Sequence, residues 1–300
     1  MKKAIGIDIG GTKIAAGIIT EKGELLKRTE VKSDHSDREI MFSRVVEAVE
    51  LLLMDSSLSI TDIAGIGVGV PGKVDREKGI AVFQNNLPWR DFPVAQRLRE
   101  SFGIEKLVID NDVYTAAFAE WSAAGGNREE TFVYVTVSTG ISCAIIHRGS
   151  FFRGAGFAGE LGLIPIFSKR AIPHFERLEN AAAGPAIAQK AEELLAKQLS
   201  TKDVFERFLA GEPEVQSIID EVTDSLAQGL YTISSLLDPH KIVFGGSVIS
   251  NNSFLLEIIK EKLKAYQIPE QQHVLNQMSI TAIKQDNGVV GAGLRVFEKI

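Results

Sequence analysis

Apolar residues in the first twenty positions fall into two short runs, Ala4–Ile9 and Ile14–Ile19, on either side of Gly10-Gly11. The pattern predicts two strands joined by a glycine turn. A third strand is expected around Glu24–Val31, after the Lys22-Gly23 turn. Phe42, Val45, Val46, Val49, Leu52 and Leu53 then recur at helical spacing. Ile63–Val70 is apolar at both alternating sets of positions, as in a strand covered on both faces. A short helix is expected over Phe92–Phe102, stopped by Gly103, then a strand over Leu107–Ile109 and a helix over Asp112–Ala124 ended by Gly125-Gly126. Helices dominate the later part: Ala186–Leu199 behind Pro185, Glu214–Leu237 stopped by Asp238-Pro239, Phe254–Leu263 and Gly288–Phe297. Between them a strand, Lys241–Phe244, enters Gly245-Gly246. The mixture is that of an α/β fold.

Two stretches resemble each other. Ile9–Ile19 aligns with Val137–Ile146 so that Thr12 meets Thr139, Gly17 meets Ala144, and Ile18-Ile19 meet Ile145-Ile146. Each reads as strand, small-residue turn, strand, followed by a basic-Gly turn, Lys22-Gly23 or Arg148-Gly149. This weak repeat suggests two related lobes that each begin with a β-hairpin.

Composition narrows the class further. The chain has 300 residues, 45% of them hydrophobic and 24% charged, with a net charge of -6. That length supports one large domain or two lobes with sizeable cores. Acidic and basic residues are interspersed without a basic stripe, so no nucleic-acid partner is expected. The single cysteine, Cys143, rules out an intramolecular disulfide and fits a cytoplasmic protein. The apolar run after Met1-Lys2-Lys3 is short and broken by Asp8, unlike a signal peptide, and no stretch is long enough to span a membrane.

The glycine-rich segments carry the candidate chemistry. Gly67-Val-Gly69-Val-Pro-Gly72 and Gly154-Ala-Gly156-Phe-Ala-Gly159 both match GxGxxG, but neither is followed by a helix start, so neither reads as a dinucleotide site. A GxxxxGK[ST] loop is absent. Asp8-Ile-Gly10-Gly11-Thr12-Lys13 is a better phosphate site. Its glycines let backbone N–H groups approach phosphate oxygens, Thr12 and Lys13 add a hydroxyl and a cation, and Asp8 can hold Mg²⁺ through water. For an isolated match, a plain Gly-Gly hairpin turn is the usual explanation. Ser138-Thr139-Gly140 offers a second, matching turn, and Gly245-Gly246-Ser247 a third loop suited to a nucleoside.

These residues together resemble a known family. Asp8-Ile-Gly-Gly-Thr-Lys13, Gly69-Val-Pro-Gly72, Asn111-Asp112, Gly159-Glu-Leu-Gly162, Leu178-Glu179 with Ala183-Gly184, and Asp238-Pro239 leading to Gly245-Gly246 occur in the order seen in the ROK family. That family comprises bacterial glucokinases, fructokinases, N-acetylhexosamine kinases and related repressors. The resemblance implies an actin-like (ribonuclease H-like) two-lobed ATPase fold, with ATP and sugar in a central cleft. The lobes are expected at residues 1–112 plus 286–300 and at residues 113–285. It implies that Asp112 is the general base and that Gly72, Asn86, Asn111, Asp112, Glu160 and Glu179 hold the sugar. ATP is expected on Asp8, Gly10, Gly11, Thr12, Lys13, Ser138, Thr139, Gly140, Gly245 and Gly246. The partners implied are a small hexose and a second copy of the chain in a homodimer.

Elementary chemistry agrees with Asp112 as the base. An Asp beside the acceptor hydroxyl takes its proton as the new bond forms, and the start of a helix keeps a carboxylate ionised. An Asn-Asp pair at a helix start also serves simply as an N-cap. The sequence departs from the family in several places: Val113-Tyr114 after the Asn-Asp pair, Ile141-Ser-Cys-Ala144 after the second phosphate turn, and Leu163 where a His is common. The cysteine-rich zinc loop is missing, so no structural zinc is expected. In the interval from Glu160 to Glu179, apolar residues including Phe167, Ile172, Pro173 and Phe175 are expected to position Glu179 in the metal's place. The reading is an ATP-dependent hexose kinase acting on the 6-hydroxyl of glucose or a related hexose. The alternative is a weak or inactive sugar-binding protein with a regulatory role. A repressor is not expected, since the phosphate motif lies within the first ten residues and leaves no room ahead of it for a DNA-binding domain.

Overall fold

The computed structural model describes residues 1–84, 86–168, 174–283 and 286–298. The chain divides into two compact units, Met1–Gly126 with Ile283–Ile300, and Asn127–Ala282. The division after Asp112 expected from the sequence differs from this one. The helix that begins at Asp112 packs extensively on the helix Asn287–Arg295 and so stays in the first unit.

The first unit runs through β1 (Lys3–Ile9), β2 (Lys13–Thr20), β3 (Leu25–Lys32), α1 (Arg38–Ser56), β4 (Ile63–Val70), β5 (Lys73–Asp75), β6 (Ile80–Phe83), β7 (Arg90–Phe92), α2 (Val94–Phe102), β8 (Leu107–Asn111) and α3 (Asp112–Ala123). Its main sheet has the order β3-β2-β1-β4-β8. The first three strands form an antiparallel meander, and β4 and β8 join parallel to β1. The two faces of this sheet differ in kind. Ile5, Ile7 and Ile9 of β1, with Ile66, Val68 and Val70 of β4, share one core with the buried stripe of α1, Met41, Phe42, Val45, Ala48, Val49 and Leu52. Each such side chain larger than Ala48 contributes about 1.5–3 kcal/mol on burial. Asp37 starts α1 by accepting from the N–H groups of Glu39 and Ile40.

The opposite face is made of small residues, and there the helix Asn287–Arg295 lies almost on the backbone. A Cβ at Gly6 would stand 1.9 Å from the Val289 carbonyl oxygen, and one at Gly67 would stand 1.8 Å from that of Ala292. Val289 and Val290 complete a small core with Ala15, Ile19 and Ala119. The first GxGxxG match is thus a packing device, since Gly67 seats this helix and Gly69 seats the first turn of α3 against Thr115.

The second unit runs through β9 (Thr131–Val137), β10 (Ile141–His147), β11 (Ser150–Phe152), β12 (Pro165–Ser168), β13 (His174–Arg177), α4 (Leu178–Ala182), α5 (Gly184–Leu195), α6 (Thr201–Leu209), α7 (Pro213–Leu237), β14 (Lys241–Gly245), α8 (Ser247–Ser250), α9 (Leu255–Tyr266) and β15 (Met278–Ile280). Its sheet, β11-β10-β9-β14-β15, repeats the order and strand directions of the first. The hairpins β1-β2 and β9-β10 occupy equivalent places, as the internal repeat in the sequence predicts. Val133, Val135 and Val137 of β9 pack with Ile218, Ile219 and Val222 of α7 and with Leu255, Ile259 and Leu263 of α9. Among the described residues, no helix is long and apolar enough to cross a membrane.

Candidate active site

In the first unit, the strand ends gather a set of charged groups. Asp8 is the penultimate residue of β1 and lies level with Gly69 of β4, which in turn lies level with Asp110 of β8. Its side chain points to the glycine face, where a Cβ at Gly288 would stand 2.5 Å from Oδ2. Burial above all, and then the negative charge of Asp112, push the Asp8 carboxyl up to about 7, with Asp286 adding to the rise and Lys13 and Arg28 opposing it. Arg28 of β3 donates to Asp286 (2.7 Å) and to Glu30 (2.5 Å), and Glu30 accepts from Lys13 Nζ at 2.8 Å. Those hydrogen bonds from Lys13 and Arg28 hold the Glu30 carboxyl below its usual range. An ion-pair chain thus runs from the loop at Lys13 to the start of the helix Asn287–Arg295.

Asn111 and Asp112 stand at the junction of β8 and α3. Asn111 caps α3, its Oδ1 accepting from Val113 N at 2.9 Å, and its Nδ2 donates to the Gly72 carbonyl at 3.0 Å. One amide hydrogen and one lone pair remain for a ligand. The capping role and the expected ligand role therefore coexist. Asp112 Oδ1 lies 3.0 Å from Val113 N, so the carboxylate sits over the first N–H groups of α3. Gly72 turns the chain at φ +78, and a Cβ there would meet the Phe83 carbonyl at 2.3 Å. The exposed Asn86 lies against the first turn, its amide nitrogen 3.0 Å from where a Gly11 Cβ would be. The structure thus brings together Asp8, Gly10, Gly11, Thr12, Lys13, Gly72, Asn86, Asn111 and Asp112.

In the second unit, the other three loops converge. Ser138 O accepts from Gly184 N at the start of α5 (2.8 Å), and Ser138 Oγ lies 3.2 Å from Ser247 Oγ, beside Gly245 and Gly246. Both glycines also have a packing reason. A Cβ at Gly245 would meet the Tyr134 hydroxyl at 2.0 Å, and one at Gly246 the Val137 carbonyl at 2.4 Å. Next to the Ser138-Thr139-Gly140 turn, a Gly140 Cβ would stand 3.7 Å from Glu179 Oε2, and a Gly162 Cβ 3.1 Å from the same atom. Burial and the neighbouring Glu179 raise the Glu160 carboxyl, so the two expected sugar carboxylates share one neighbourhood. Cys143, pushed up to about 12 by burial and then by Glu160, is an unreactive core thiol.

The support of Glu179 differs from the sequence expectation. Phe167 and Phe175 face each other across the β12-β13 hairpin, rings 5.6 Å apart, but both are exposed. The buried apolar side chains there, among the described residues, are Leu161, Ile166 and Leu178. The hairpin is tied to α7 by Gln228, which accepts from Phe167 N (2.9 Å) and donates to Phe167 O (3.0 Å). Ile172 and Pro173 lie outside the described residues. Among the described residues, no group of three or more His, Cys, Asp or Glu side chains is placed to hold a metal ion. The reading of the sequence missed Arg28, Glu30, Asp286 and Gly288. They reach the site through strand register and through a helix returning from the far end of the chain, and only the glycine opening that helix was a visible signal.

Comparison with known proteins places these features in context. The chain is 28% identical to a glucokinase of Halalkalibacterium halodurans, over 98% of this chain and 95% of that protein. It superposes on the ROK hexokinase from Thermus thermophilus with a TM-score of 0.82 at 29% identity, covering 98% of both chains. It also superposes on a ROK family glucokinase from Streptomyces griseus, solved with glucose and AMPPNP, with a TM-score of 0.78 at 25% identity, covering 97% of this chain and 98% of that one. The fold is the α/β actin-like ATPase fold. Residues 4–298 match the ROK family, and the chain belongs to it.

Proposed function

We propose that this protein is an ATP-dependent hexose kinase that moves the γ-phosphate of ATP to the 6-hydroxyl of glucose or a closely related hexose, with Asp112 as the general base. The observation that carries the reading is the placement of Asp112 over the first N–H groups of α3, beside Asn111 locked to Gly72. There the helix start favours the charged carboxylate and fixes its direction. It takes the hydroxyl proton as the sugar oxygen bonds to the γ-phosphorus, and the bond to the bridging oxygen breaks to release ADP. In the first unit, Gly72, Asn86 and Asn111 hold the sugar, and the Asp8–Lys13 loop holds phosphate. In the second, Glu160 and Glu179 accept from sugar hydroxyls, while Ser138, Thr139, Gly140, Gly245 and Gly246 hold the nucleotide. The donor set suits Mg²⁺, because the Asp8 carboxyl is raised by burial and by Asp112 and is short of positive charge. A bound Mg²⁺ would neutralise phosphate charge there.

The test is a coupled ATP-turnover assay across a hexose panel with wild type and Asp112→Asn. The amide keeps the shape and loses the proton acceptor, so turnover falls about 10²–10⁴-fold while sugar still binds. Turnover within a few fold of wild type overturns the base assignment. Absence of turnover in the wild type with every hexose overturns the kinase reading.

A further inference from the structure

We propose that Ser33 and His35 are positioning residues that aim the backbone of the Asp8–Lys13 loop, so that the N–H groups of Gly11 and Thr12 face an incoming phosphate. The proposal rests on the reading of that loop as a phosphate site. Immediately after β3, the segment at residues 33–35 crosses the loop and takes three successive carbonyls. Ser33 Oγ donates to Gly10 O at 2.7 Å, His35 Nε2 bonds Gly11 O, and Ser33 N donates to Thr12 O at 3.1 Å. A carbonyl only accepts, so Nε2 of His35 carries the hydrogen. In a planar trans peptide, the C=O of one residue and the N–H of the next point in opposite directions. Tying down the carbonyls of Gly10 and Gly11 therefore turns the N–H groups of Gly11 and Thr12 to the other side.

Among the described residues, neither of those two N–H groups has a hydrogen-bond partner, and both residues are at least partly open to solvent. Two adjacent unpaired donors in a glycine turn form an anion-binding concavity. Without the strap, the glycine peptides at this turn rotate with little steric resistance. The strap is itself anchored, since Arg44 of α1 donates to the Lys32 carbonyl at 3.1 Å. Its outer side opens on a polar cavity of about 410 Å³ lined by Lys32, Ser33, Asp34, His35 and Arg44. Water in that cavity can replace a lost hydrogen bond, so removing a strap side chain releases the loop without unfolding the unit.

The experiment compares wild type with Ser33→Ala, His35→Ala, the double variant and His35→Gln, whose amide nitrogen stands near the Nε2 position. Binding of AMPPNP and of glucose is measured separately by calorimetry, kinetic constants for ATP and sugar are determined, and the Gly11 and Thr12 amides are followed by NMR. In the wild type, AMPPNP shifts both amide signals. Each single alanine variant weakens AMPPNP binding and raises KM for ATP roughly 2- to 10-fold, and the double variant roughly 5- to 50-fold. Glucose affinity is unchanged and His35→Gln is close to wild type. If the wild-type amides do not respond to AMPPNP, the phosphate-loop reading itself fails. If they respond but the double variant binds AMPPNP within twofold of wild type, the positioning role is overturned. Loss of AMPPNP and glucose binding together, with a lowered melting temperature, also overturns it and makes the strap purely structural.

Discussion

Replacing Asp8 with Asn should make the protein more stable at alkaline pH while disabling it. The carboxyl rises from 3.8 to about 7 in the folded chain, chiefly through burial and the charge of Asp112. A raised acid holds its proton more tightly in the folded than in the unfolded state. Its contribution to stability is full below about pH 4 and is lost as pH rises through about 7. A shift of about three units corresponds to about 4 kcal/mol at 1.36 kcal/mol per unit, and partial access to water reduces this to about 2–4 kcal/mol. The substituted amide keeps the shape and never ionises, so Asp8→Asn should gain on wild type steadily as pH rises above about 4, reaching about 2–4 kcal/mol by pH 8. Urea unfolding at half-unit pH steps, with chelator present, measures the difference directly. Adding Mg²⁺ at pH 8 should narrow the gap, because a cation bound only to the folded wild type stabilises it. Parallel stability curves for the two proteins from pH 4.5 to 8 would refute the argument.

Further outcomes follow from other contacts. Gly288→Ala places a methyl 2.5 Å from Asp8 Oδ2 and displaces the carboxylate, so kcat should fall about 100-fold with no loss in melting temperature; unchanged kcat refutes it. Glu179→Gln removes the charge that helps raise the Glu160 carboxyl, so carbon NMR of Glu160 should show it titrating at lower pH; an unmoved titration argues against the pairing. Protein purified without metal-affinity carryover should contain no stoichiometric zinc by elemental analysis, since the Glu160–Glu179 interval has no cysteine and one histidine, His174. Near-stoichiometric zinc, with activity lost on chelation and restored by zinc, reverses that expectation.

Several elements were legible before any coordinates. Ile63–Val70 matches β4 residue for residue, because a strand covered on both faces is a continuous apolar run. The helix beginning at Asp112 was clear from Asn111-Asp112 and its closing glycines. The sheet β5-β6-β7 was not, because strands of three or four residues are too short to display a period. The helix expected over Ala186–Leu199 ends at Leu195, where Ala196 takes φ 51, a conformation no local glycine announces. Its successor, α6, was missed although Ser200 and Asp203 form a capping box. At the site, residues inside glycine-rich motifs could be found by type and order. Ser33 and His35 could not, because their role depends on the β2-β3 register that sets Lys32 opposite Lys13.

The helix Asn287–Arg295 belongs to the first unit but is made after the whole of the second. At roughly 5–20 residues per second, the ribosome needs about ten to thirty seconds to travel from the end of α3 to this helix. Throughout that interval the glycine face of the first sheet lacks this helix, and the second unit receives its own last strand, β15, only just before the helix is made. The first unit, although most of it is made early, should therefore become complete only at nearly the same time as the inserted second unit, roughly a second after it. A binding chaperone or a protease would find its opening in that interval, on the strip of Gly6, Gly17 and Gly67.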